Sequence, residues 1–212
     1  MSYLNQIFDK IYCINLDKRT DRWASVSQQF TKFGIEVERV PAVDGSLSEI
    51  KSNYISDGEL GIILSNIFIL NHAKQNKYKS ILIFEDDIIF SDEINNIQKY
   101  FSALSGINCD MLWLSGNHNL HVQGIPAPIE VNEKLFKISN TFSAHAVGIR
   151  QHMFDVILDR IEAFEKPLDV YYADLQKEYN CYCFKGQSPL VTQASGYSNI
   201  QNKEVDYNWL IK

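Results

Sequence analysis

The chain has 212 residues, enough for one domain with a single well-developed core. It is 45% hydrophobic and 22% charged, ordinary for a globular protein. A net charge of -6 speaks against nucleic acid as the main partner, because phosphate contacts need clustered Lys and Arg, and the densest basic stretch, Lys74 to Lys79, reads as a solvated helix end.

The first half alternates strand and helix. KIYCINL at 10–16 reads as a buried strand. In TDRWASVSQQFTKFG, the residues Trp23, Val26, Phe30 and Phe33 are spaced 3, 4 and 3, one face of a helix, with Thr20 or Asp21 to cap it and Gly34 to end it. IEVERV at 35–40 is a second strand, stopped by Pro41, and the polar stretch that follows is loop-like. LGIILSNIFILNHAKQ at 60–75 is apolar nearly all round and predicts a buried helix. KSILIFEDD is the third strand. Ser91, Asp92 and Glu93 suit the start of a helix over 91–104, with Ile94, Ile97, Phe101 and Leu104 as its apolar face. DMLWLS at 110–115 is the fourth strand. This alternation predicts parallel crossovers in a Rossmann-like sheet, with ligands gathered at the carboxyl ends of the strands. Three polar segments fall there: 15–22, 85–87 and 115–119.

The second half is less regular. Residues 116–133 read as a loop over the site or an excursion, and LFKIS and TFSAHAVGI as paired strands. RQHMFDVILDRIEAF is amphipathic through Met153, Val156, Ile157 and Ile161, and KPLD is turn-like. A core of about 8–200 with a loosely docked tail at 201–212 makes a single domain the expectation for 1–212. Cys13, Cys109, Cys181 and Cys183 lack paired C-x-x-C spacing and read as reduced structural thiols. Cys181 and Cys183 share one face of a strand, where a disulfide is geometrically poor. The N-terminus lacks the pattern of a cleaved signal, no apolar run reaches the length of about 18 residues that spans a membrane, and there is no Asn-x-Ser/Thr site. The expected location is cytoplasmic, free or peripheral to a membrane.

The stretch ILIFEDDIIF at 81–90 ends an apolar strand on three carboxylates. Two like charges 4 Å apart repel by about 1 kcal/mol in water and about 4 kcal/mol at a near-surface dielectric. No Lys or Arg lies between Lys79 and Lys99 to compensate. Strand alternation sends Glu85 and Asp87 one way and Asp86 the other. Two converging carboxylates suit a hard divalent cation that bridges to substrate phosphates, although an acidic loop that caps a helix has the same composition. NLDKRTDR at 15–22 supplies a complement: Arg19 and Arg22 carry planar forks suited to phosphate, while Asn15, Asp17 and Asp21 can read a base or ribose edge.

INLDKRTDR, GIEVERVPAVDG, DGELGIILSN, ILIFEDD, KPLD and SPLVTQASGYSNI occur in that order. As an ordered set, over roughly residues 8–200, they resemble glycosyltransferase family 25, which contains lipooligosaccharide and collagen hydroxylysine galactosyltransferases. The resemblance implies a GT-A fold, an α/β Rossmann-like mixed sheet flanked by helices. It implies a divalent metal, manganese or magnesium, and a UDP-sugar donor. It also implies inverting transfer of a hexose, galactose or glucose, to a hydroxyl of a glycan or a collagen-like hydroxylysine. Carried over by position, Asn15 and Arg22 match the first donor-side motif, with Arg19 beside them. Glu59 and Ser65 match the motif that opens the buried helix. Glu85 and Asp87 match the metal motif, with Asp86 on the donor side. Asp169 matches the Asp of a Pro-x-Asp segment, and Gln193 and Ser198 match the closing, donor-binding block. The chain departs from the family at Asn66, where His is frequent, and at His145, where an aromatic is common. Inversion needs a base within hydrogen-bond reach of the acceptor hydroxyl. Asp169 is the candidate, ahead of Asp174 and His145. Trp113, Tyr171 and Tyr172 could stack on sugar or base, but core packing is the commoner role of such residues. A non-catalytic UDP-sugar-binding domain of a larger assembly is the competing reading, and the intact triplet stands against it. A phosphoryl-transfer or nuclease domain would need more acidic ligands and a phosphate loop, and no Walker or dinucleotide glycine fingerprint is present.

Overall fold

The computed structural model describes residues 2–118, 124–198 and 203–206. The elements run in chain order from α1 (Tyr3–Ile7), β1 (Lys10–Asn15), α2 (Thr20–Lys32) and β2 (Glu38–Pro41) to α3 (Asp57–Gln75). β3 (Ser80–Glu85), β4 (Ile88–Phe90), α4 (Ile97–Ser102) and β5 (Met111–Trp113) follow. Next come β6 (Ile129–Asn132), β7 (Leu135–Lys137), β8 (Ala146–Arg150), α5 (Met153–Ile161) and α6 (Leu168–Leu175). The last are β9 (Cys181–Phe184), β10 (Val191–Gln193), β11 (Gly196–Ser198) and β12 (Lys203–Val205). Eight strands form a sheet of order β2-β1-β3-β8-β5-β9-β7-β6. β1 is parallel to β2 and β3, and β5 to β9, whereas β8 is antiparallel to both of its neighbours, β3 and β5. This is the mixed α/β sheet flanked by helices that the resemblance implies, while the strand–helix alternation alone predicts parallel crossovers and does not foresee the antiparallel β8.

Alternation along the strands builds two cores. Ile81 and Ile83 face α3, α5 and α6, joining Ile69, Phe154, Ile157 and Tyr172. Leu82 and Phe84 face the other way, joining Leu4, Val26, Phe30 and Tyr100. Trp113, Tyr171 and Tyr172 are buried in the first core, so packing is their role. All four cysteines are free thiols. Among the described residues, no helix is long and apolar enough to cross a membrane.

Several boundaries differ from the sequence reading. α2 has Arg19 at its N-cap with no side-chain capping bond, and Asp21 is instead gripped by the Arg19 guanidinium. Gly34, at φ +61°, does end that helix. α3 begins three residues before its apolar pattern because Ser56 and Glu59 form a capping box. The helix expected over 91–104 opens as a 3-10 segment, Asp92–Asn96, since the Ser91 N–H donates to the Leu190 carbonyl and no Ser91 side-chain cap forms. Turn-like KPLD starts α6, with Pro167 as its N-cap. The strands expected to pair with each other do not. β7 lies between β6 and β9, and β8 inserts between β3 and β5, because its buried run of apolar residues fills a central position. Asn119 and most of the expected tail at 201–212 fall outside the described residues.

The loop after β2 is clamped onto α3. The Ser65 hydroxyl accepts from the Val43 N–H at 2.9 Å and donates to the Gly61 carbonyl at 2.7 Å. A Cβ on Gly45 would fall 1.9 Å from the Asp57 carbonyl oxygen, an atom of the helix backbone that cannot step aside. Gly45→Ala is therefore expected to destabilise by about 3 kcal/mol, the upper part of the overpacking range. The corresponding fall in melting temperature is roughly 6–12 °C for a chain of this length. An unchanged melting curve would show that the loop is free of the helix.

Candidate functional site

A cleft of about 930 Å3 opens where β1 and β3 end. Glu85, Asp86 and Asp87 form its floor, Arg19 and Arg22 one wall, and Glu59, Asp169, Gln193 and Ser198 further parts of the lining. The compensation that the local sequence lacks comes from α2. The Arg22 guanidinium donates to Asp86 Oδ1 at 2.8 Å and lies 3.3 Å from Asp87 Oδ2, and its other nitrogen donates to the Tyr197 carbonyl at 2.8 Å.

The alternation expected at the triplet is present only in part, because β3 ends at Glu85 and Asp86 and Asp87 lie in the turn beyond it. Asp86 turns toward Asn15, whose Nδ2 donates to it at 2.6 Å. Glu85 and Asp87 both approach Gln193, whose Nε2 lies 3.4 Å from an oxygen of each, while Asp87 also shares the Arg22 guanidinium with Asp86. Burial, then the neighbouring Asp87, Asp86 and Asp169 charges, push the Glu85 carboxyl well above its ordinary range. Burial also raises Asp87, with Arg22 opposing.

Asp169 stands in the first turn of α6 and lines the same cleft. Burial raises its pKa, while backbone N–H groups of Ser143 and Val170 pull it down. The two alternatives to it are elsewhere. Asp174 is tied to Lys177 at 2.8 Å and Lys166 at 2.9 Å and is not among the cleft's lining residues. His145 is buried, its pKa depressed to about 4 by desolvation, and its ring nitrogens face Ser143 Oγ and the Val191 carbonyl.

Two expected donor contacts stand behind the cleft instead of in it. Asn15 is buried, and it spends its amide on Asp86, the Arg19 carbonyl and the Arg39 guanidinium, so it positions Asp86. Ser65 is fully buried, with its hydroxyl engaged by Val43 and Gly61. Glu59 lines the cleft but commits one carboxylate oxygen to the Ser56 N–H at 2.7 Å. Asp44 and Ser143 are two of the lining residues with no role assigned from sequence. Asp44 pairs with Lys18 at 2.7 Å across the rim. Ser143 has φ +79°, uncommon for a residue with a side chain, and sends its hydroxyl toward Gln193 and its carbonyl to the Trp113 indole N–H. The Val-Asp-Gly turn signal could have flagged Asp44; nothing local flags Ser143.

The donor set at Glu85 and Asp87 fits a hard divalent cation. Both offer carboxylate oxygens within 3.4 Å of the Gln193 amide, and their mutual repulsion is what such an ion would relieve. Among the described residues, no group of three His, Cys, Asp or Glu side chains is placed to hold a metal, so an all-protein carboxylate cage is not what the site offers.

The family model "Glycosyltransferase family 25 (LPS biosynthesis protein)" matches residues 8–154. The chain belongs to glycosyltransferase family 25. A glycosyltransferase 25 family member of Drosophila melanogaster is 30% identical over 141 residues, 56% of this chain and 22% of that one. Procollagen galactosyltransferase 2 of Mus musculus is 29% identical over 104 residues, 41% of this chain and 17% of that one. A procollagen lysyl hydroxylase and glycosyltransferase of Acanthamoeba polyphaga mimivirus is 28% identical over 137 residues, 51% of this chain and 15% of that one. The match to each of these relatives thus spans less than a quarter of the relative's length. The family 25 match takes in Asn15, Arg19, Arg22, Glu59, Ser65 and the acid triplet. Asp169, Gln193 and Ser198 lie beyond it, and the fold is what brings them to the same cleft.

Proposed function

We infer that this family 25 chain transfers a hexose from a UDP-sugar to a hydroxyl of a glycan or collagen-like acceptor, with inversion and with a divalent cation. The observation that carries the reading is one cleft in which the Glu85–Asp87 pair, two arginines and the half-buried carboxylate of Asp169 converge. Galactose and glucose are the candidate sugars, and manganese or magnesium the candidate ion.

The residues divide the work as follows. Glu85 and Asp87 hold the cation, which when bound neutralises charge on the diphosphate. Arg19 and Arg22 face the diphosphate, Asp86 and Ser198 border the donor, and Glu59 lines the rim. Asp169 accepts the proton of the acceptor hydroxyl as its oxygen attacks the anomeric carbon. The bond from that carbon to the UDP oxygen breaks on the opposite face, and UDP leaves with the bonding electrons. The burial that raises the Asp169 pKa makes it a stronger proton acceptor than an exposed carboxylate.

Metal and donor binding are expected to be coupled, because the acids and the arginines share one strand end. By calorimetry, UDP is expected to bind at least several-fold more tightly with manganese than with chelator. Equal affinity in the two conditions rules out a metal bridge. UDP release from a panel of nucleotide sugars, with and without manganese, identifies the donor and separates a transferase from a binding domain.

A further inference from the structure

The hydroxyl of Ser143 has one proton and two claimants. Its Oγ lies 2.6 Å from His145 Nδ1 and 3.1 Å from Gln193 Oε1. The other His145 nitrogen, Nε2, faces the Val191 carbonyl at 3.3 Å. A carbonyl only accepts, so Nε2 carries the hydrogen. The ring is buried and no carboxylate is among its hydrogen-bond partners, which keeps it neutral. Nδ1 is then an acceptor and takes the Ser143 proton. The 2.6 Å separation suits that bond.

Toward Gln193, Ser143 Oγ can now only accept. The side of the Gln193 amide that faces it is its oxygen, also an acceptor, while the amide N–H groups face Glu85 and Asp87 at 3.4 Å, longer than a charged pair ordinarily makes. A half-turn of the amide resolves the mismatch. Gln193 N–H then donates to Ser143 Oγ, and 3.1 Å is within the range of an N–H to oxygen bond. Each group in the row from Gln193 to the Val191 carbonyl is then satisfied. The cost is that the Gln193 oxygen faces two carboxylates, a repulsion that a cation between them relieves. The amide end of Gln193 lies 3.4 Å from an oxygen of each carboxylate, near enough for its oxygen and the two acids to serve one hard cation.

We propose that Gln193 turns its side-chain amide to supply its carbonyl oxygen as the third protein ligand of the cation at Glu85 and Asp87, with Ser143 and His145 holding the amide in that orientation. The inference rests on the metal-site reading above. It also accounts for the lack of a third His, Cys, Asp or Glu among the described residues, since the third ligand is a neutral amide.

The test is manganese binding without donor, followed by calorimetry and by the electron paramagnetic resonance signal of the free ion. The two roles of Gln193 predict opposite signs. As an oxygen ligand, its loss in Gln193→Leu weakens binding at least ~tenfold, whereas Gln193→Glu does not weaken it. As an N–H donor competing for the carboxylates, its loss leaves affinity unchanged or raises it, which overturns the proposal. Ser143→Ala frees the amide and is expected to weaken manganese by about tenfold, the usual worth of an outer-shell partner. If Gln193→Leu lacks a cooperative melt, unchanged affinity in Ser143→Ala is the overturning result. Asp87→Asn reports on the underlying reading. Loss of manganese there with wild-type affinity in Gln193→Leu removes the third-ligand role and keeps the metal site. Absence of manganese binding in the wild-type chain removes both.

Discussion

Asp87→Ala is expected to abolish sugar transfer while the protein stays folded. The carboxylate is half of the pair proposed to hold the cation, and a Lewis acid of this kind contributes several kcal/mol to the leaving step. Activity should fall about a thousandfold or more, the rate equivalent of about 4 kcal/mol. The folded chain loses little, for three reasons. Arg22 keeps its 2.8 Å bond to Asp86. Glu85 is relieved of its largest neighbouring charge. Asp87 itself is held above its ordinary pKa by burial. A carboxyl whose folded pKa is raised favours folding below its unfolded pKa and loses that contribution as the pH rises through the folded value. At neutral pH the buried pair therefore costs stability, and removing one member should leave the melting temperature in chelator unchanged or higher. Full activity in Asp87→Ala would make the triplet an acidic loop and no more.

For Asp169→Asn the expectation is a different pair of results: donor binding kept, turnover lost. Asparagine preserves size and hydrogen bonding but cannot take the acceptor proton. Turnover should fall by roughly two to four powers of ten, the usual worth of general-base catalysis. The acid limb of the wild-type pH profile should lie above the ordinary Asp range, because burial raises this carboxyl and the working form is the ionised one. UDP affinity by calorimetry and turnover with a competent acceptor decide the matter. Near-wild-type turnover reduces Asp169 to a helix-start acid. Loss of UDP affinity together with turnover moves it to the donor or metal shell. Neither fallback base is well placed, since Asp174 is paired with two lysines and His145 is buried.

What could be read from sequence was local. The 3, 4, 3 spacing of Trp23, Val26, Phe30 and Phe33 specifies α2, because a helical face is a property of neighbouring residues. The strand period carries only as far as Glu85: Asp86 and Asp87 lie in the turn beyond β3, where Asp87 meets Gln193 as Glu85 does but also shares the Arg22 guanidinium with Asp86. Partner choice was not local. LFKIS and TFSAHAVGI have the composition of strands, but composition does not say that β8 will be taken up by β3 and β5. Position in a motif also failed to distinguish lining from support: Ser65 and Asn15 sit in donor-side blocks, yet their hydrogen bonds hold a loop and Asp86 in place. Arg22 reaches the triplet from a helix far away in sequence, so the missing compensation around residue 85 could not be located by scanning its neighbours. Ser143 carried no signal at all, since its importance lies in a left-handed backbone and in where its hydroxyl points.

The position of β8 has a consequence for synthesis. A nascent chain that has emerged through β5 can assemble β1, β2 and β3, but the strand that joins β3 to β5 is still inside the ribosome. Until residues 146–150 clear the exit tunnel, both β3 and β5 carry an open edge of unpaired backbone groups. Such edges template pairing with other chains, and closure across distant segments is slow. Translation stalled before residue 146 should therefore give aggregation-prone chains, and chaperone demand should fall in steps as β8 and then β9 are released. A strand that the middle of the sheet needs is thus one that prevents it from being built in the order in which it is made.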